Sequence, residues 1–164
     1  MQIEKARKKQ LMKLLMNFAL KLNVKLTFSS NFIVETGGRY FLLNKNLKAI
    51  APRSFFYVGR YLGEVKNGKF FPSFNLLAIL ASRQANKVVV NKKASWLFIC
   101  GRDIFSEGIV SVQGSRRKGA LTLVLNEFEE CLGLGRIISD FGAVDTKVVV
   151  ENIADVGDFL RRER

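Results

Sequence analysis

Histidine is absent from all 164 residues. With it go the Ser-His and Cys-His couples, imidazole metal ligands and the usual proton shuttle near neutral pH. Proline occurs only as Pro52 and Pro72, too sparsely for a polyproline linker. A hydrophobic fraction of 48% with 25% charged residues is the composition of a chain that buries a core rather than of a disordered tail. Two cysteines, Cys100 and Cys131, permit at most one bridge and read as a reduced pair of buried small hydrophobes. The longest unbroken apolar run, Leu76 to Ala81, is far short of the roughly 20 residues that span a bilayer. The opening Met-Gln-Ile-Glu-Lys-Ala-Arg lacks the apolar centre of a signal peptide. The expectation is a soluble, cytoplasmic chain.

Acidic residues are scarce as well: 14 Asp and Glu stand against 27 Lys and Arg, a formal charge of +13. Such an excess asks for an anionic partner, because each phosphate neutralised by Lys or Arg releases condensed counterions. Nucleic acid comes first. A membrane surface attracts the same charge, and an amphipathic first helix keeps that alternative open. The charge is uneven: residues 1–85 hold 15 basic and 3 acidic residues, residues 86–164 hold 12 and 11. That shift, together with the end of a helix, predicts a join at Arg83 to Asn86 between an N-terminal domain (1–85) and a C-terminal domain (86–164).

Periodicity predicts an α+β fold. From Ile3 to Leu22, the apolar Leu11, Leu14, Leu15, Phe18 and Leu22 form one helical stripe opposite Lys5, Lys8, Lys9 and Lys13. Short β-rich segments follow at Val24 to Phe28, Phe32 to Glu35 and Arg39 to Leu43, with Gly37-Gly38 as a hairpin turn. Lys45 to Ala51 is a brief helix stopped by Pro52. Strands are expected at Phe55 to Val58 and Tyr61 to Lys66, and Asn67-Gly68 turns the latter into Lys69 to Phe71. A helix from Phe74 to Arg83, capped by Ser73, completes an antiparallel sheet flanked by helices. In the second half a strand at Lys87 to Val90 leads to a helix, Ser95 to Cys100, ended by Gly101. Strands at Ile109 to Gln113, Ala120 to Asn126, Leu132 to Ser139 and Lys147 to Val150 then suggest a small β-barrel.

The phosphate-binding motifs fail on their own terms. Gly133-Leu134-Gly135 lacks the third glycine of a dinucleotide fingerprint, and Gly114 to Gly119 is followed by Ala120 where a phosphate loop needs Lys. Glu127, Glu129 and Glu130 read as a solvated turn, with no partner base or metal ligand nearby. No catalytic constellation survives, so the chain is expected not to be an enzyme and to need no cofactor or metal. What survives is basic clusters: Arg116-Arg117-Lys118 on a loop and Arg161, Arg162 and Arg164 at the C-terminus. Arginine's planar fork of donors suits phosphate and stacks on bases.

Lys87-Val88-Val89-Val90, the helix ending at Gly101, Asp103 to Ile109, Cys131 to Arg136 and Ala154 to Arg161 resemble a PUA domain, a small RNA-binding pseudobarrel. With Asn46 to Ala51, Lys69-Phe70 and Leu76 to Leu80 added, the whole chain resembles an archaeal member of the Nip-seven family of large-ribosomal-subunit assembly factors. The resemblance implies a non-enzymatic, RNA-binding role in ribosome biogenesis and rRNA maturation, beside other assembly proteins, in a protein expected to be a monomer. It places Arg161 and Arg162 in the RNA site; Arg164 joins them by proximity, and Arg136 and Lys147 by charge. Arg102 and Gly108 are added because the helix-to-strand corner of PUA domains approaches RNA. Two alternatives stay open: an accessory PUA-containing subunit of an RNA-modifying enzyme, and a protein scaffold in pre-ribosome assembly.

Overall fold

The computed structural model describes residues 2–27, 29, 32–50, 56–139, 141 and 147–158, with the side chains of 2–8 left out. The chain divides into two compact units, Met1–Leu20 with Lys25–Leu76, and Lys21–Val24 with Leu77–Arg164. The fold is mixed α+β, as the periodicity predicts.

The first unit opens with α1 (Gln2–Lys21). Leu11, Leu15 and Ala19 of its apolar stripe are buried, while Lys9 and Lys13 are exposed. A four-stranded antiparallel sheet follows in the order β1 (Ile33–Thr36), β2 (Arg39–Leu42), β3 (Arg60–Lys66), β4 (Lys69–Pro72). Between β2 and β3 lies α2 (Lys45–Ile50). Both two-residue turns have φ > 0 at each position, +56° and +77° at Gly37-Gly38 and +50° and +72° at Asn67-Gly68. That conformation matches strand twist and is why these residue types stand there. Phe41 and Leu62 are fully buried at the centre of the sheet.

Two expected strands are missing. Val24 to Thr27 alternates buried and exposed, as a strand would, but joins no ladder; Phe28 lies outside the described residues. Alternation reports burial of one side and cannot by itself supply a hydrogen-bonding neighbour. Phe56 to Val58 also remains irregular. There Tyr57 packs on Phe41, with ring centroids 5.1 Å apart, and Arg39 stands 4.6 Å over the Phe56 ring. These aromatics are held by side-chain contacts instead of a ladder. Helix α3 (Phe74–Ala81) follows, and its predicted cap is present: the Leu76 amide donates to Ser73 Oγ at 3.2 Å.

In the second unit, six strands curl into a half-barrel in the order β6-β10-β9-β8-β5-β7. They are β5 (Lys87–Val90), β6 (Ile104–Phe105), β7 (Ile109–Gln113), β8 (Leu121–Leu125), β9 (Cys131–Ile137) and β10 (Val148–Asp155). The expected small barrel is thus present as a curled sheet whose ladder, among the described residues, leaves two edges. Those edges, β6 and β7, are consecutive in the chain and joined by a 3₁₀ turn at Ser106–Gly108. All pairings are antiparallel except β5 with β8. Helix α4 (Lys92–Ile99) begins three residues earlier than predicted because the Asn91 side chain caps it, accepting from the Ala94 amide at 2.9 Å. Gly101, at φ +86°, lies just beyond its end. Phe98, Val88, Val90, Ile104, Val124 and Val150 form the core of this unit.

The cysteines depart from the sequence reading in one respect. Both are free, but Cys100 is exposed and only Cys131 is partly buried. Cys100 follows the last residue of a short helix, where position on the turn outweighs residue type. Among the described residues, no helix is long and apolar enough to cross a membrane.

Candidate nucleic-acid interface

The corner between α4, β6 and the 3₁₀ turn carries a small cavity of about 40 Å³ whose lining includes Asn91, Lys93, Leu97, Asp103, Phe105 and Gly108. Its geometry follows from short-range hydrogen bonding. The Asn91 amide donates to the Gly108 carbonyl at 2.9 Å, and its side-chain amide to the Glu107 carbonyl at 3.4 Å. One residue therefore caps the helix and clamps the turn. Gly108 is buried, and a Cβ built there would lie 2.6 Å from the Ala94 Cβ, so glycine lets the turn close on α4. On the other side the Ser106 amide donates to the Lys147 carbonyl at 3.1 Å, and Phe105 is in register with Val148.

The outcome is an exposed aromatic ring among cations. Phe105 is 44% exposed and Trp96 65%. Lys92 and Lys93, both exposed, precede Trp96 by four and three residues and so share its side of the helix. Arg102 and Lys147 are exposed as well. Asp103 is committed to structure: its Oδ1 accepts from the Asn152 amide at 2.8 Å. Asn152 also donates through its side chain to the Phe98 carbonyl at 2.8 Å and to the buried Asp155 carboxylate at 3.1 Å, tying β10 to α4. Such a surface offers a ring for a base to stack on, ammonium groups for phosphate, and Glu107 to accept from a base amino group.

The expected site residues do not all meet here. Gly108 and Lys147 come together at the β6 edge through Ser106, and Arg102 stands at the end of α4 with its carbonyl 3.5 Å from the Asn152 side-chain amide. Arg136 stands apart on β9, in register with Leu121 of β8 and Glu151 of β10. Its guanidinium pairs with Glu151 at 3.4 Å, with both side chains close to half exposed. Arg161, Arg162 and Arg164 lie outside the described residues. Phe105, Trp96, Lys93 and Asn91 were missed in the sequence. An Asn three residues before the alanine of an apolar helix was the available sign of the cap, whereas nothing local marks an aromatic residue as exposed.

The acidic turn at Glu127 to Glu130 is solvated, and Asn126 organises it by accepting from the Phe128 and Glu130 amides at 3.0 and 2.9 Å. Among the described residues no group of three or more Cys, Asp or Glu is placed to hold a metal. Burial pushes the Cys131 thiol from 9.0 up to about 11, so at neutral pH it is a protonated thiol and not a nucleophile. Its folded value lies above its unfolded one. The stability it contributes is therefore present below about pH 9 and lost as pH rises to about 11. Thermal melts across that window are expected to fall more steeply for the native chain than for Cys131→Val. At pH 8, iodoacetamide is expected to label Cys100 in the folded chain and Cys131 only after unfolding, as mass spectrometry would show.

The chain is similar in sequence or in fold to several known proteins. Residues 86–164 match the family described as the UPF0113 PUA domain. A UPF0113 protein of Archaeoglobus fulgidus is 33% identical over 112 residues, which is 66% of this chain and 63% of that protein's length. Two solved structures share the fold over 95% of both chains. They are a conserved PUA domain protein from Thermoplasma acidophilum (21% identity, TM-score 0.62) and a hypothetical protein from Pyrococcus horikoshii (15% identity, TM-score 0.63). Over residues 86–164 the chain is thus similar to a PUA domain of the UPF0113 kind.

Proposed function

We propose that this chain binds single-stranded RNA through its PUA domain, and that it does so as a non-catalytic, monomeric factor in maturation of the large-subunit ribosomal RNA. The observation that carries RNA binding is the exposed Phe105 ring at the α4–β6 corner, which lines a cavity with Lys93, on a strand preceded by the exposed Arg102, within the region that matches a PUA domain. The resemblance to the Nip-seven family supplies the ribosomal part. The strongly basic N-terminal half adds long-range attraction to a polyanion, while the nearly neutral PUA half places the strand.

Fluorescence anisotropy with a single-stranded oligouridine tests the site. Phe105→Ala removes a stacking surface and is expected to weaken binding about 10-fold. Lys93→Glu with Lys147→Glu is expected to weaken it by a similar factor. Both variants alter exposed side chains, so the thermal midpoint should move by no more than about 2 °C. Unchanged affinity in both would remove this corner from the interface. Crosslinking in cells, with the contacted nucleotides mapped, tests the ribosomal reading separately: contacts outside ribosomal RNA would refute it.

A further inference from the structure

A second, larger cavity of about 320 Å³ lies elsewhere in the same unit, lined by Lys21, Gly119, Ala120, Leu121 and Arg136. Its volume falls in the range of small-ligand sites. One buried side chain organises its walls. Asn86 is 3% exposed, and its side-chain amide donates to the Leu121 carbonyl at 3.2 Å and the Lys21 carbonyl at 3.4 Å. Its Oδ1 accepts from the Ser115 amide at 2.9 Å. Ser115 opens the exposed Arg116-Arg117-Lys118 loop, which is braced at its far end as well. There the Gly119 amide donates to the Ile137 carbonyl at 2.7 Å and the Ala120 amide to the Arg117 carbonyl at 3.1 Å. The loop is therefore held beside the cavity, next to the residue following Arg136.

Lys21 and Arg136 are both exposed lining residues. The acid paired with Arg136 is Glu151, at 3.4 Å across water-exposed surface. An exposed pair of that kind contributes little, so a phosphate can displace the carboxylate without a large loss. We propose that this cavity, reached at Gly119 by the exposed Arg116-Arg117-Lys118 loop, seats a phosphodiester of a bound RNA strand, with Glu151 as the internal competitor for Arg136. The proposal rests on the RNA-binding reading and adds to it a second contact, on β8 and β9 and distinct from the Phe105 corner.

The test uses the full chain and oligouridine, comparing Lys21→Gln/Arg136→Gln and Arg116→Gln/Arg117→Gln with Glu151→Gln. Lys21→Gln/Arg136→Gln removes about two phosphate contacts and is expected to lower affinity about 5-fold and flatten the log–log salt slope by about 1.4, whereas Arg116→Gln/Arg117→Gln weakens the surrounding field and is expected to lower affinity about 2-fold with a smaller change of slope. Glu151→Gln frees Arg136 and is expected to tighten binding 2- to 3-fold, a gain that a merely structural role does not produce. Double variants with native affinity and slope, beside a weakened Phe105→Ala, would overturn this site while leaving RNA binding intact. If the native chain binds no oligouridine, the RNA reading fails by itself. Inorganic phosphate then decides the cavity: a rise in thermal midpoint that disappears in Lys21→Gln/Arg136→Gln supports an anion site for free phosphate, and no rise overturns it.

Discussion

Raising monovalent salt from about 50 to about 200 mM is expected to weaken oligouridine binding roughly 100-fold, because about five neutralised phosphates give a log–log slope of about −3.5 for a single strand. The estimate of five comes from the cations around the two cavities. Lys93 lines the cavity at the α4–β6 corner, with Arg102 next to its Asp103 in sequence and the Lys147 carbonyl accepting from the Ser106 amide beside it, and Lys21 and Arg136 line the larger cavity. Counterion release, unlike stacking, scales with the number of phosphates engaged. Phe105→Ala should therefore lower the whole line without changing its slope, whereas each cation removed should flatten it by about 0.7. Anisotropy titrations at four salt concentrations measure both quantities. An affinity independent of salt would contradict the electrostatic mechanism altogether, and a slope near −3.5 in a chain lacking Lys93 and Lys147 would move the phosphate contacts elsewhere.

The second large effect is on stability. Gly133→Ala is expected to destabilise the second unit by about 3 kcal/mol, at the upper end for overpacking, because the atoms in the way are backbone. A Cβ at Gly133 would lie 2.1 Å from the Ala154 carbonyl oxygen and 2.8 Å from the Asp155 Cα. Neither atom can rotate aside as a side chain does. Both belong to β10, which pairs with β9 in the register Asp155 to Gly133 and Ala154 to Leu134. Making room means parting that ladder at its end, where the Asn152–Asp155 hydrogen bond secures the strand. The thermal midpoint should fall by roughly 6–12 °C, at 2–4 °C per kcal/mol for a chain of this size. Gly119→Ala is the control: its φ is +87° but nothing lies within 4 Å of the added methyl, so only the left-handed backbone penalty of about 1 kcal/mol applies. Equal melting of the two variants would show that β10 approaches β9 less closely than described.

Gly133 illustrates how far local reading carries. As part of Gly133-Leu134-Gly135 it invites a nucleotide-binding interpretation, which the absent third glycine excludes from sequence alone. Its actual role is to let a neighbouring backbone pass, and that depends on a residue 21 positions later. The hairpin turns at Gly37-Gly38 and Asn67-Gly68 were legible for the opposite reason: positive φ is a property of the residue itself. The basic loop at Arg116 to Lys118 was equally visible as composition, but the tie between its first residue, Ser115, and the Lys21 and Leu121 backbones was not. That tie runs through Asn86, whose side chain gathers backbone groups from positions 65, 35 and 29 residues away.

The sequence by itself determined what depends on residue type and near neighbours. It settled the lack of imidazole chemistry, the excess of cations, the helices and most strands, the turn geometry and the PUA-like pattern of the second half. Tertiary structure decided which strands find a ladder, which aromatic rings remain in water and which cations share a cavity. Val24 to Thr27 has the alternation of a strand without a neighbour, and Phe105 has the apolarity of a core residue while standing at a sheet edge. Hydrogen-bond partners and burial are properties of pairs distant along the chain, so no window of local sequence contains them.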